Sequence, residues 1–172
     1  MARKSNIVLI GMCGVGKSTV GVLLAKALSM GFVDTDLVIQ SAEGRSLQDI
    51  LDESGVERFC EIEQNYIMAL KVANTVIATG GSAVYSEKAM AHLSQSGIVV
   101  HLDLNFESVE KRVGNVYGRG VVIHRDETLK SLYEKRQPIY RKYAQVTVDC
   151  ACKTQQEIVD QVIDSVSGLL DK

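Results

Sequence analysis

Nine consecutive residues near the start of the chain, Gly11-Met12-Cys13-Gly14-Val15-Gly16-Lys17-Ser18-Thr19, have the types and spacing of a phosphate cradle, G-x-x-x-x-G-K-[ST]. Glycines let the backbone curl until successive N–H groups point inward at phosphate oxygens, and a helix starting near Lys17 adds its positive end. In such a loop Gly14, Val15, Gly16 and Thr19 wrap the phosphates, Lys17 reaches the β- and γ-phosphates, and the Ser18 hydroxyl ligates Mg²⁺. A glycine-rich turn without a ligand leaves the lysine and the doubled hydroxyl unexplained. The motif predicts a bound purine nucleoside triphosphate, with ATP the first choice.

Phosphoryl transfer also needs a carboxylate near the metal and a site for the acceptor. Phe32-Val33-Asp34-Thr35-Asp36 supplies two carboxylates at the end of a short apolar run. Read as a strand, its alternation sends Asp34 and Asp36 to one side. One of them supports Mg²⁺ through water and the other takes a proton from a substrate hydroxyl. A helix cap or Asx-turn accounts for one of the two, not both. Val76-Ile77-Ala78-Thr79-Gly80-Gly81-Ser82 is a second apolar run, ending in glycines that let the backbone approach a ligand and offer N–H donors. Late in the chain, Lys135-Arg136-Gln137-Pro138-Ile139-Tyr140 sets an arginine beside a proline, a fork suited to a substrate carboxylate.

These groups require a frame. Five short apolar runs, Ile7–Ile10, Phe32–Asp34, Thr75–Thr79, Ile98–Leu102 and Val146–Asp149, alternate with helical patterns over 18–28, 46–51 with 56–70, 86–93, 106–113, 129–143 and 158–170. That alternation predicts βαβ units and a doubly wound α/β fold in one domain. Ser46–Asp49 and Thr154–Glu157 read as helix N-caps, and Pro138 is expected to kink or restart its helix. The stretch 114–126 keeps neither periodicity and holds Arg119 among three glycines, which reads as a lid that carries an arginine to the transferring phosphate.

Composition removes several alternatives. At 172 residues the chain suffices for one ordinary domain, and 46% hydrophobic with 23% charged residues is a globular composition. A net charge of −2 gives no basis for nucleic-acid binding, and no apolar run reaches membrane-spanning length. Gly11 interrupts the first apolar run after four residues, so the basic N-terminus reads as the lead into a strand and not as a signal peptide. Cys13, Cys60, Cys150 and Cys152 are then expected as free thiols in the cytoplasm. His92, His101 and His124 have no ligand spacing and read as surface or structural residues.

Taken together, GMCGVGKST, FVDTD, Gly44-Arg45-Ser46, ERFCEIE, ATGGSAV, the lid arginine and KRQPIY resemble the shikimate kinase family over nearly the whole chain. The resemblance implies a P-loop fold on a five-stranded parallel sheet with a mobile lid, and ATP- and Mg²⁺-dependent phosphorylation of the 3-hydroxyl of shikimate. It implies that Asp36 contacts the acceptor hydroxyl, Asp34 lies near the metal, and Arg119 touches the transferring phosphate. Arg112 then packs on adenine, Arg136 binds the shikimate carboxylate, and Gly80, Gly81 and Ser82 line the acceptor site. The acceptor-binding helical region falls at about 36–70, and the working unit is expected to be a monomer.

The chain departs from the family's G-E-x-x-F-R-x-x-E: Val56 follows Gly55, and Cys60 stands where the motif has its second carboxylate-binding arginine. Arg58, two positions away and about 200° around a helix, does not take its place. Ser82 replaces a third glycine, and Arg119-Gly120-Val121-Val122 replaces Arg-Pro-Leu-Leu. These changes keep two further readings open: a kinase of the same fold for another small hydroxylated metabolite, and a nucleotide-binding paralogue that transfers nothing.

Overall fold

The five apolar runs pair in parallel as one sheet, β1 (Asn6–Ile10), β2 (Gly31–Asp34), β3 (Thr75–Ala78), β4 (Gly97–Asp103) and β5 (Val146–Asp149), in the order β2-β3-β1-β4-β5. The computed structural model of the chain describes residues 4–114, 120–124 and 126–170. The inner strands β1 and β3 are buried at every residue, as continuous Val and Ile runs covered on both faces should be, while the edge strands β2 and β5 are only partly buried. Ile7 pairs with Val76 on one side and with Ile98 on the other, so the C-terminal ends of β1, β3 and β4 open on one edge.

Helices α1 (Lys17–Leu28), α2 (Thr35–Glu43), α3 (Leu47–Ala69), α4 (Glu87–Ser96), α5 (Phe106–Val113), α6 (Leu129–Tyr143) and α7 (Gln155–Val166) make the connections. The crossover from β1 to β2 and that from β3 to β4 run in opposite directions along the sheet. With right-handed connections they therefore cover opposite faces. The loops leaving the adjacent strands β1 and β3 thus diverge, and the crevice between them is where open α/β sheets hold ligands. Ser46 and Thr154 close capping boxes, as their sequence patterns predict.

Two expectations need correction. Asp36 is not on a strand: β2 stops at Asp34, which caps α2, and Asp36 lies in that helix's first turn. The D-T-D pattern satisfied two orphan helix N–H groups instead of extending a strand. The two helical patterns before residue 70 are both present within α3, separated at Gly55, whose φ 77° and ψ 171° are not helical. Pro138 does not restart α6, which runs as one helix from Leu129 to Tyr143. Pro138 and Glu134, whose carbonyl loses its partner, both face solvent, while Leu132, Arg136 and Tyr140 anchor the opposite face.

The main core is centred on Ile7, Val8, Leu9 and Ile10, and a smaller apolar cluster of Ile39, Leu47, Ile50, Phe59 and Val122 joins α2 and α3 to the segment 120–124. Gly120 donates its N–H to Gln48 Oε1 at 3.1 Å, docking that segment on the start of α3. Among the described residues no helix is long and apolar enough to cross a membrane, and no three His, Cys, Asp or Glu side chains could hold a metal ion. All four cysteines are free.

Candidate active site

The phosphate loop adopts the backbone its glycines permit: Gly11, Gly14 and Gly16 all have positive φ, at 145°, 77° and 101°. Gly16 caps α1, whose first turn carries no acidic residue to oppose an anion. Lys17 folds back into the loop, donating to the carbonyls of Gly11 at 2.8 Å and Met12 at 2.9 Å. Burial lowers its pKa, against the pull of Cys13 and Asp36. Ser18 and Thr19 face the cavity, whereas the Val15 side chain is packed in the core, so only its backbone is left to the site. Arg112, at the end of α5, donates to the Val15 carbonyl at 3.4 Å and so sits against the loop.

A cavity of about 330 Å³ opens beside this loop. Its walls include Lys17, Asp36, Phe59, Gly80, Gly81, Ser82 and Arg136, so residues from α1, α2, α3, the turn after β3 and α6 meet in one place. Burial and the neighbouring Asp34 carboxylate push the Asp36 pKa up to about 6, with Lys17 working against them. Asp34 itself borders an adjoining cavity of about 420 Å³, shared with Ser18 and Asp36. A serine hydroxyl and two carboxylates around that opening are oxygen donors of the kind a hard divalent cation takes.

Arg136 is almost wholly buried yet held by neutral partners. Its Nε donates to the Tyr85 hydroxyl at 3.1 Å, its Nη2 to the Val122 carbonyl at 2.8 Å, and its guanidinium lies over the Tyr85 ring. Nη1 is turned to Gly81, where a Cβ would come within 2.9 Å of it. Gly80 works through the space it leaves: a Cβ there would lie 2.3 Å from Glu63 Oε1 and 2.8 Å from Asp36 Oδ1. Its N–H is not on offer to a ligand, since it donates to the Thr35 hydroxyl at 3.1 Å.

Glu63 entered the sequence reading only as the last residue of the family motif, with no role. It is buried on α3 in line with Phe59 and Ile67, an acid at four-residue spacing inside an apolar stripe, and that misplaced charge was the available signal. Its Oε2 accepts from Ser82 Oγ at 2.7 Å, and burial pushes its pKa up to about 7 in spite of that bond. Cys60, one turn earlier, borders a side cavity of about 160 Å³ with Glu63, Ser82 and Tyr85, and burial holds its thiol up at about 11. Arg58 points away and pairs with Glu61 at 2.7 Å. Arg119 lies outside the described residues, as do 115–118 and Arg125 of the lid stretch.

A P-loop before the first helix of a doubly wound parallel sheet, with carboxylates and a buried arginine around the next crevice, defines the class of P-loop small-molecule kinases. The sequence profile described as shikimate kinase matches residues 13–167. A shikimate kinase of Sulfurihydrogenibium sp. is 35% identical over 162 residues, covering 94% of this chain and 97% of that protein. Among solved structures, shikimate kinase from Aquifex aeolicus superposes with a TM-score of 0.81 at 32% identity, over 95% of this chain and 96% of that one. Shikimate kinase from Acinetobacter baumannii in complex with shikimate does so with a TM-score of 0.87 at 27% identity, over 99% and 97%. The chain belongs to the shikimate kinase family.

Proposed function

We propose that this chain moves the γ-phosphoryl group of ATP to the 3-hydroxyl of shikimate. The observation that carries the reading is the convergence of Lys17, Asp36 and Arg136 on one cavity at the C-terminal edge of the sheet. The Acinetobacter baumannii relative, folded alike, was solved with shikimate.

In this reading Arg136 Nη1, turned to Gly81, binds the acceptor's carboxylate, and Asp36 receives the proton of the attacking hydroxyl. The bond between the γ-phosphorus and the oxygen bridging to the β-phosphate breaks as the new phosphorus–oxygen bond forms, leaving ADP and a phosphate monoester. Lys17 releases the Gly11 and Met12 carbonyls and turns to the β- and γ-phosphates. Arg112 packs near the adenine, and Arg119 is assigned to the charge of the transferring group. Ser18, and Asp34 through water, would hold Mg²⁺, which neutralises phosphate charge when bound. The same reading takes the working unit as a monomer in a reducing compartment such as the cytoplasm, with all four cysteines free.

A second reading, the same transfer to another small hydroxylated metabolite, is favoured by Cys60, a neutral thiol beside the acceptor cavity. ADP release from MgATP with and without millimolar shikimate decides between them. Shikimate-dependent release is expected; release at the background rate while ATP still binds overturns the shikimate assignment and sends the search to polyols and other hydroxy acids.

A further inference from the structure

Tyr85 closes a single 3-10 turn, Ala83–Tyr85, just past the glycines of the acceptor cavity. Ala83 and Val84 sink into the core, whereas Tyr85 stays 41% exposed, so burial does not account for its ring. Its backbone is nonetheless fixed from both sides. The Tyr85 N–H donates to the Ser82 carbonyl at 2.9 Å, and Ser86 beyond it caps α4. The side chain reaches across to α6. Its hydroxyl accepts from Arg136 Nε at 3.1 Å, and the Arg136 guanidinium carbon stands 5.2 Å from the ring centroid. Hydroxyl and ring thus hold one guanidinium, the first by a hydrogen bond and the second by cation–π attraction.

A guanidinium carries one N–H on Nε and two on each Nη. Tyr85 takes the first, and the Val122 carbonyl takes one from Nη2 at 2.8 Å. The Nη1 end is turned to Gly81, with the Tyr140 hydroxyl beside it, and carries donors left for a ligand. A buried N–H without an acceptor is costly. If the Tyr85 hydroxyl were removed, the fork would swing to satisfy Nε, and its Nη1 end would leave Gly81.

We propose that Tyr85 is a positioning residue of the acceptor site, holding Arg136 by Nε so that the acceptor's carboxylate is met by the Nη1 end of the fork. This rests on the acceptor reading given above. The need for such a support follows from Cys60. Cys60 and Tyr85 line the same side cavity, and a neutral thiol there adds no positive charge to share the carboxylate. Recognition then depends on how well Arg136 is aimed, and a planar fork binds a planar carboxylate only when it is aimed well.

The test compares Tyr85→Phe, which keeps the ring and removes the acceptor of Nε, with Tyr85→Leu, which removes both. The KM for shikimate should rise about tenfold in Tyr85→Phe and about thirtyfold in Tyr85→Leu, with the KM for MgATP within about twofold of wild type. Shikimate binding is then titrated in Arg136→Lys with and without Tyr85→Phe. Lysine has no Nε edge for the hydroxyl to hold, so the Tyr85→Phe penalty should vanish on that background, whereas a packing role would preserve it. In the protein without substrate, the Arg136 Nε–H resonance followed by NMR should shift and exchange faster with water in Tyr85→Phe. An unchanged KM for shikimate in Tyr85→Phe, an equal rise in the KM for MgATP, or a penalty that survives in Arg136→Lys overturns the proposal. An unmoved Nε–H resonance overturns it equally, with no acceptor present. Absence of shikimate-dependent ADP formation in wild type, with that resonance moved in Tyr85→Phe, instead overturns the acceptor reading beneath it.

Discussion

Asp34 caps the helix that carries Asp36: its Oδ1 accepts from the Asp36 N–H at 3.0 Å and from Leu37 at 3.4 Å. One carboxylate thereby fixes the backbone of the other while its charge also raises the other's pKa. These two effects separate by mutation, because asparagine keeps the cap and loses the charge.

Asp34→Asn should therefore fold with nearly wild-type stability, while Asp34→Ala loses about 1 kcal/mol with the cap. In Asp34→Asn the pKa of Asp36 falls below about 6 but stays above its ordinary 3.8, since burial, the larger cause, remains and only the Asp34 repulsion is gone. If Asp36 acts as a base, the acidic limb of the pH–rate profile shifts to lower pH in that variant. An unmoved limb would show that Asp36 does not control it.

Asp36→Asn removes the proton acceptor and leaves the phosphate loop intact. Turnover should drop by about 10²- to 10⁴-fold, the usual contribution of a positioned base, with ATP affinity within a few-fold of wild type. Steady-state turnover together with nucleotide titration checks both halves. Wild-type turnover in this variant would move the base to another residue.

The strands and the phosphate loop were legible because their signals are local: a run of Val and Ile buried on both faces, and a glycine pattern that only one backbone path satisfies. Arg136 was found for the same reason, standing out beside a proline. Helix α2 was not, since Asp34 suits a strand end and a helix cap equally and only the turn of the chain at Thr35 decides. The Glu63–Ser82 bond joins residues 19 apart in sequence, and the occupation of the Gly80 N–H by Thr35 spans 45. No pattern within one element encodes either of them.

Cys60→Arg asks whether one residue separates this acceptor pocket from that of the family pattern. The new guanidinium would extend from a half-buried position in the side cavity shared with Ser82, where the family pattern has a carboxylate-binding arginine. A charge-assisted contact contributes about 1.5–3 kcal/mol, so the KM for shikimate should fall by about 10- to 150-fold. No decrease would mean that Ser82 or the lid segment also excludes the ligand.

The buried acid also leaves a mark on stability that needs no substrate. Glu63 has an ordinary pKa of 4.5 when unfolded and about 7 when folded. The folded state therefore prefers the proton, and its advantage is complete below pH 4.5 and is lost as pH rises through 7. At 1.36 kcal/mol per unit this amounts to about 3 kcal/mol by pH 8. Asp36, raised from 3.8 to about 6, acts in the same direction. Glu63→Gln is neutral throughout, so its unfolding free energy should gain on that of wild type by about 2 to 3 kcal/mol between pH 5 and pH 8. Urea denaturation of both proteins at the two pH values measures the difference. A constant difference across that range would place the Glu63 transition elsewhere.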